Sequence, residues 1–127
     1  MNYADFNSFC GSLPATTHVI QWGNAHVWKV GGKVFAIGGW EKTGQPAYTF
    51  KASDLNFDYL RNEPGYRPAP YFATRGMKWI QQYDIPGASE QLKYYLRESH
   101  RLAAKGLTRQ KQQELGLDPR VSTESKP

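Results

Sequence analysis

The sequence predicts an α+β fold: a two-layer domain in which an antiparallel sheet of about five strands packs against helices. Three observations lead there. Two β-branched and aromatic runs, His26–Val30 and Lys33–Ile37, flank the pair Gly31-Gly32, and the tight turns that join antiparallel strands need positive φ, which glycine adopts without steric cost. Apolar runs also precede and follow this hairpin, at His18–Trp22 and Ala47–Lys51, so the strands succeed one another as a meander. Downstream, from about Ala88 to Lys105, Leu92, Tyr95, Leu96, Ser99, Leu102 and Ala103 fall in one stripe at about 100° per residue, the pattern of a helix with a single apolar face.

Taken in order, residues 2–13 read as a short helix. Asn2 is placed to cap it, and Tyr3, Phe6, Phe9, Cys10 and Leu13 share a face. Leu13-Pro14 ends it. A regular two-residue turn at Gly31-Gly32 would pair Val30 with Lys33, Lys29 with Val34, Trp28 with Phe35, Val27 with Ala36 and His26 with Ile37. One side of the ribbon would then carry His26, Trp28, Val30, Lys33, Phe35 and Ile37, and the other Val27, Lys29, Val34 and Ala36. Ser53 is a good cap for a helix over Asp54–Asn62, with Leu55 and Tyr59 on one side. The stretch Tyr66–Phe72 is extended because Pro68 and Pro70 fix their own φ and push the preceding residues out of the helical region. Lys78–Gln82 reads as the last strand. Leu107–Leu115 can form one more helical segment beyond Gly106. A single domain over 1–116 is expected, with 117–127 a disordered tail lacking apolar periodicity.

Sixteen Lys and Arg against eleven Asp and Glu give a net charge of +5 and a pI near 9.4, which admits an acidic partner without requiring one. The distribution is uneven. Residues 1–28 hold Asp5 and no base, whereas residues 85–111 hold Lys93, Arg97, Arg101, Lys105, Arg109 and Lys111 against Glu90 and Glu98. The row Lys93, Arg97, Arg101, Lys105 lies opposite the apolar stripe and reads either as a solvated face or as a track for phosphates. One cysteine, Cys10, excludes an internal disulfide framework and reads as a packed thiol. No run resembles a signal peptide or approaches the ~20 apolar residues of a membrane span, so a cytoplasmic location without membrane association is expected.

The inventory for catalysis is thin. His18, His26 and His100 show no metal-ligand spacing, and there is no phosphate-cradling glycine loop with its Lys and Ser/Thr and no nucleophile elbow. No enzyme, cofactor or metal is therefore expected. A binding surface is better supported. Helices on one face of a sheet leave the other face to solvent or a partner, and here both sides of the hairpin are apolar. Rings among bases suit nucleic acid, since rings stack on unpaired bases and Lys or Arg neutralises phosphates. The candidates are Lys29, Lys33, Lys51, Arg67, Arg75 and Lys78 for phosphates, with Trp22, His26 and Tyr71 beside them. Trp28, Tyr71 and Trp79 fit a core equally well, and the lysines fit a role in keeping strand edges soluble.

Leu13-Pro14, Trp22-Gly23-Asn24, the run Lys29–Ala36, Phe50-Lys51, Arg67–Tyr71, Gly76, Trp79 and Glu98-Ser99-His100, in that order, resemble the MmcQ/YjbR family of small bacterial proteins. The resemblance spans roughly residues 3 to 115. It implies an α+β domain of the CyaY-like, secretion-chaperone-like type with helices mainly on one face of the sheet. It also implies the "double wing" label, under which the family is described as DNA-binding; that label rests on fold likeness rather than on a site. DNA is thus the expected partner, with a monomer favoured. The alternative is a module that binds a protein or a small ligand on the same sheet face.

Overall fold

A computed structural model describes residues 1–41, 44–85, 87 and 89–117. Its elements in chain order are α1 (Tyr3–Ser12), β1 (Thr16–Gln21), β2 (Ala25–Val30), β3 (Lys33–Gly38), β4 (Ala47–Lys51), α2 (Asp54–Leu60), β5 (Tyr66–Pro68), a 3-10 turn (Ala73–Arg75), β6 (Trp79–Tyr83), α3 (Ser89–Lys105) and α4 (Arg109–Glu114). Every strand pairing is antiparallel, in the order β1-β2-β3-β4-β6-β5. The α+β sheet-and-helix architecture is as expected, with one strand more than the pattern predicts. The additional strand is β5, which the prolines disguise: three residues pair with β6 at the sheet edge, where a proline's missing N–H interrupts no ladder. Among the described residues no helix is long and apolar enough to cross a membrane. Ala88 and residues 118–127, including nearly all of the expected tail, lie outside the described residues, whereas Leu117 packs against the core.

Local chemistry places the helix starts. Asn2 Oδ1 accepts from Asp5 N–H at 2.8 Å, Ser53 Oγ from Asn56 N–H at 3.1 Å and Thr108 Oγ1 from Lys111 N–H at 3.1 Å, each satisfying a donor that a helix N-terminus leaves free. The apolar residues of α1, α2 and α3 meet the same face of the sheet: Phe6, Cys10, Phe57, Leu60, Leu92 and Leu96 form one core with Trp28, Phe50 and Ile80. Burial pushes the Cys10 thiol well above its ordinary range, as befits a packed side chain. Two helix faces differ from expectation. In α2 it is Phe57 and Leu60 that turn inward, leaving Leu55 79% and Tyr59 59% exposed. In α3 His100 rather than Leu102 completes the buried stripe, because its Nε2 reaches the Pro14 carbonyl at 2.8 Å.

The hairpin turn forms as predicted, with Gly31 and Gly32 at φ 56° and 88°, and Val30 pairs with Lys33 and Lys29 with Val34. Beyond that point the register departs from the regular reading. A bulge shifts the partners, so that Trp28 pairs with Ala36, Val27 with Ile37 and His26 with Gly38. Ile37 therefore joins Val27 on the face away from the helices, and Ala36 joins Trp28 beneath them. The cause is steric: α1 lies so close to β3 that a Cβ on Gly38 would sit 2.8 Å from Phe6 Cε2. Only glycine fits there, and the unshifted register would have placed Ile37 opposite His26 on that face.

The bulge also opens the β3–β4 ladder, and α3 closes it. Ser99 Oγ accepts from Lys51 N–H at 2.8 Å and donates to the Phe35 carbonyl at 2.5 Å, with Ser99 and Phe35 fully buried and Lys51 half-buried. Removing that hydroxyl leaves a donor and an acceptor buried without partners, each costing about 1–3 kcal/mol. Ser99→Ala should therefore lower stability by about 2 kcal/mol or more in urea denaturation, while the exposed Ser8→Ala stays within about 0.5 kcal/mol of the parent. An unchanged midpoint for Ser99→Ala would show that the bridge contributes nothing.

Candidate functional site

The register defines the face that the helices leave alone. Val19, Val27, Ile37, Thr49, Gln81 and Arg67 are successive cross-strand partners and form a row across all six strands. In the next row lie Thr17, Lys29 and Val34, and Lys51 beside Trp79. The six strands contain Lys29, Lys33, Lys51 and Arg67 and not one carboxylate. Lys29, Lys51 and Arg67 share the helix-free face, with Lys29 and Lys51 on strands roughly 10 Å apart. Arg67 is held rigidly: its Nε donates to Gln81 Oε1 at 2.7 Å and its guanidinium lies 4.5 Å from the centre of the Tyr83 ring.

This face is not the bare platform that sequence patterning suggests. Val27 and Ile37 are fully buried on it, beneath Trp40 from the β3–β4 connection and Phe72 from the β5–β6 connection. Two strands that are apolar on both sides need a second cover, and loops supply it where helices do not. What remains open is a groove of about 520 Å³ lined by Trp22, Trp40, Pro70, Tyr71 and Phe72. Trp22 and Tyr71 are 48% and 62% exposed. Trp40 Nε1 donates to the Trp22 carbonyl at 3.0 Å. Phe72 stacks on Trp79 with ring centres 4.6 Å apart, and Arg75 donates to the Tyr71 hydroxyl at 2.9 Å. Trp40 and Phe72 are not among the sequence candidates because loop aromatics carry no periodicity, and Pro70 reads only as a constraint on the backbone; the one available signal is a tryptophan beside Gly38-Gly39.

Of the sequence-predicted residues, the fold gathers Trp22, Lys29, Lys51, Arg67, Tyr71 and Arg75 on or around this face. Three are elsewhere. His26 pairs with Gly38 on the helix side, where its Nδ1 lies 3.1 Å from His18 Nε2 and 3.3 Å from Asn7 Nδ2. Lys33 opposes Val30 on that same side, and its Nζ lies 3.6 Å from where a side chain on Gly106 would begin. Lys78 is drawn to α2 by Asp54, at 3.1 Å. The basic row of α3 forms a separate region across the sheet. Lys93 is paired there with Glu90 and Arg101 with Glu98, while Lys93 and Arg97 flank the Phe9 ring.

Two features mark the helix-free face as costly. Trp22, Trp40 and Tyr71 have φ of 54°, 63° and 74°, a left-handed conformation that bulky residues seldom adopt and that costs of order 1–3 kcal/mol each. Thr49 Oγ1 and Gln81 Nε2, on cross-strand neighbours, are buried without a hydrogen-bond partner among the described residues.

The YjbR family model matches residues 11–102. No curated protein matches the chain. Among solved structures, a protein from Pseudomonas syringae determined by the Northeast Structural Genomics Consortium aligns with a TM-score of 0.65 at 19% identity, covering 81% of this chain and 99% of that one. At such identity the likeness speaks for the fold alone.

The histidine pair on the helix side yields a pH dependence. Burial and then the neighbouring His26 hold the His18 imidazole below its ordinary value of 6.5. The unfolded chain thus takes up this proton at higher pH than the folded one, so the His18 contribution is full above pH 6.5 and declines as pH falls below it. Urea midpoints measured across that range should fall less steeply for His18→Gln than for the parent; parallel curves would show that His18 titrates alike in both states.

Proposed function

The chain belongs to the YjbR family, and on that premise we propose that it is a non-enzymatic DNA-binding domain whose helix-free sheet face meets the phosphate backbone. The observation that carries the reading is the sign of the charges: the strands hold four cations and no anion, and three of the four share the face that also bears the exposed Trp22 and Tyr71 rings. A polyanion gains from such a surface by releasing its condensed counterions. Lys29, Lys51 and Arg67 make the backbone contacts from the strands, and Arg75 adds one from the loop. Arg67 suits the task best, because its guanidinium is already oriented by Gln81 and Tyr83 and loses little freedom on binding.

Contacts of this kind set position and orientation rather than sequence preference. Among the described residues no helix stands on this face to enter a major groove, so base-edge readout is not part of the proposal. The basic row of α3 is left out because two of its members are paired with acids on the same helix.

Fluorescence anisotropy with a labelled DNA should show log K falling with log salt, by about 0.9 per neutralised phosphate on duplex and about 0.7 on single strands. The double variant Lys29→Glu/Lys51→Glu should lose most affinity and reduce the slope by about two contacts, while Lys93→Glu leaves both unchanged. A flat salt response, or equal losses from the two variants, would overturn the proposal; a salt-independent partner bound in the groove would favour a protein- or ligand-binding module.

A further inference from the structure

Resting on the DNA-binding reading, we infer that the aromatic groove takes an unpaired nucleobase, and that single-stranded DNA is the preferred form of the ligand. The groove, at about 520 Å³, falls within the roughly 300–1,000 Å³ that small-molecule sites occupy. Its surface is almost wholly ring and proline. Such walls offer nothing to the edges of paired bases, which duplex DNA presents in its grooves, but they fit the flat face of a base that has left its stack. Trp22 and Tyr71 are the exposed rings at its margin, with Trp40 and Phe72 deeper.

Cations stand beside these rings as a strand's phosphates would require. Arg75 is bound to the Tyr71 hydroxyl, so a positive charge sits at the lip of the groove. Lys29 and Lys51 lie on the same face. The apolar slot and the positive rim together describe a base and its phosphates rather than an uncharged aromatic compound or an apolar peptide.

The backbone supplies an independent indication. Three of the four aromatic residues lining the groove are held in the left-handed region, at φ 54°, 63° and 74°, where glycine or asparagine would rest with less strain. Among the described residues, only Ala15, Asn24 and Asp84 otherwise combine a side chain with positive φ. Stability alone would not place tryptophan and tyrosine at such positions. Strain gathered on one set of rings is expected where those rings serve a ligand.

The test compares an oligothymidine, its duplex with oligoadenosine and an abasic strand of equal length, at one salt concentration, by anisotropy and by quenching of the protein's tryptophan fluorescence. The parent should bind oligothymidine more tightly than either the duplex or the abasic strand. Trp22→Asn and Tyr71→Asn should weaken binding of oligothymidine by about fivefold to a hundredfold, the range that loss of one stacked base gives, and weaken duplex binding by much less. Their thermal midpoints should equal or exceed that of the parent, because asparagine accepts the left-handed backbone. Should a variant fold poorly, the abasic strand still decides, since it removes the base and keeps the phosphates. Equal affinity for oligothymidine and the abasic strand, or equal affinity for single strand and duplex, overturns this inference and leaves the DNA-binding reading standing; absence of binding to every form at low salt defeats both.

Discussion

The Ser99 hydroxyl carries the helical layer into the backbone of the sheet, bridging Lys51 N–H to the Phe35 carbonyl. Much else is coupled to that bridge. The bulge in β3 leaves the Phe35 carbonyl to a side chain, shifts Ile37 to the helix-free face and brings Gly38 under Phe6. Ile37 then needs a cover of its own, which Trp40 and Phe72 provide. Lys51 is fastened at its backbone by α3 while its side chain stands on the opposite face beside Trp79. A single buried interaction thus joins the packing of α3 to the placement of a cation on the candidate surface.

This explains why some features could be read from the chain and others could not. The Gly31-Gly32 turn, the caps at Asn2 and Ser53 and the stripe of α3 are local: each follows from the φ preference, hydrogen-bonding reach or spacing of residues near in sequence. The bulge is not local. It depends on how closely α1 approaches β3, so a regular alternation misassigns Ala36 and Ile37, while the parity of His26, Trp28 and Val30 on β2 survives. The inward faces of α2 and the pairing of β5 are likewise decided by tertiary neighbours. The short motif Glu98-Ser99-His100 was recognisable by resemblance, yet its roles become physical only in three dimensions, where Glu98 holds Arg101, Ser99 closes the ladder and His100 reaches the Pro14 carbonyl.

The candidate surface shows the same division. Lys29, Lys51 and Arg67 are legible as cations in extended segments, but their sharing of one face follows from the strand pairing, and Trp40 and Phe72 come from connections without any period. The charges differ by element: the strands carry only cations, while α1, α2, α3 and α4 balance the carboxylates Asp5, Asp54, Asp58, Glu90, Glu98 and Glu114 against the bases Lys93, Arg97, Arg101, Lys105, Arg109 and Lys111. A net charge of +5 conceals that separation. It is the arrangement across the two layers, not the excess itself, that gives the sheet face an anion-seeking character.

Cys10 offers a different vantage on the same architecture. It is the chain's sole thiol, fully enclosed between α1 and the sheet, and its burial suppresses the thiolate that alkylating and oxidising reagents attack. Its reactivity is consequently governed by how often α1 lifts from β3, so the chain carries its own clock for the opening of its inner layer.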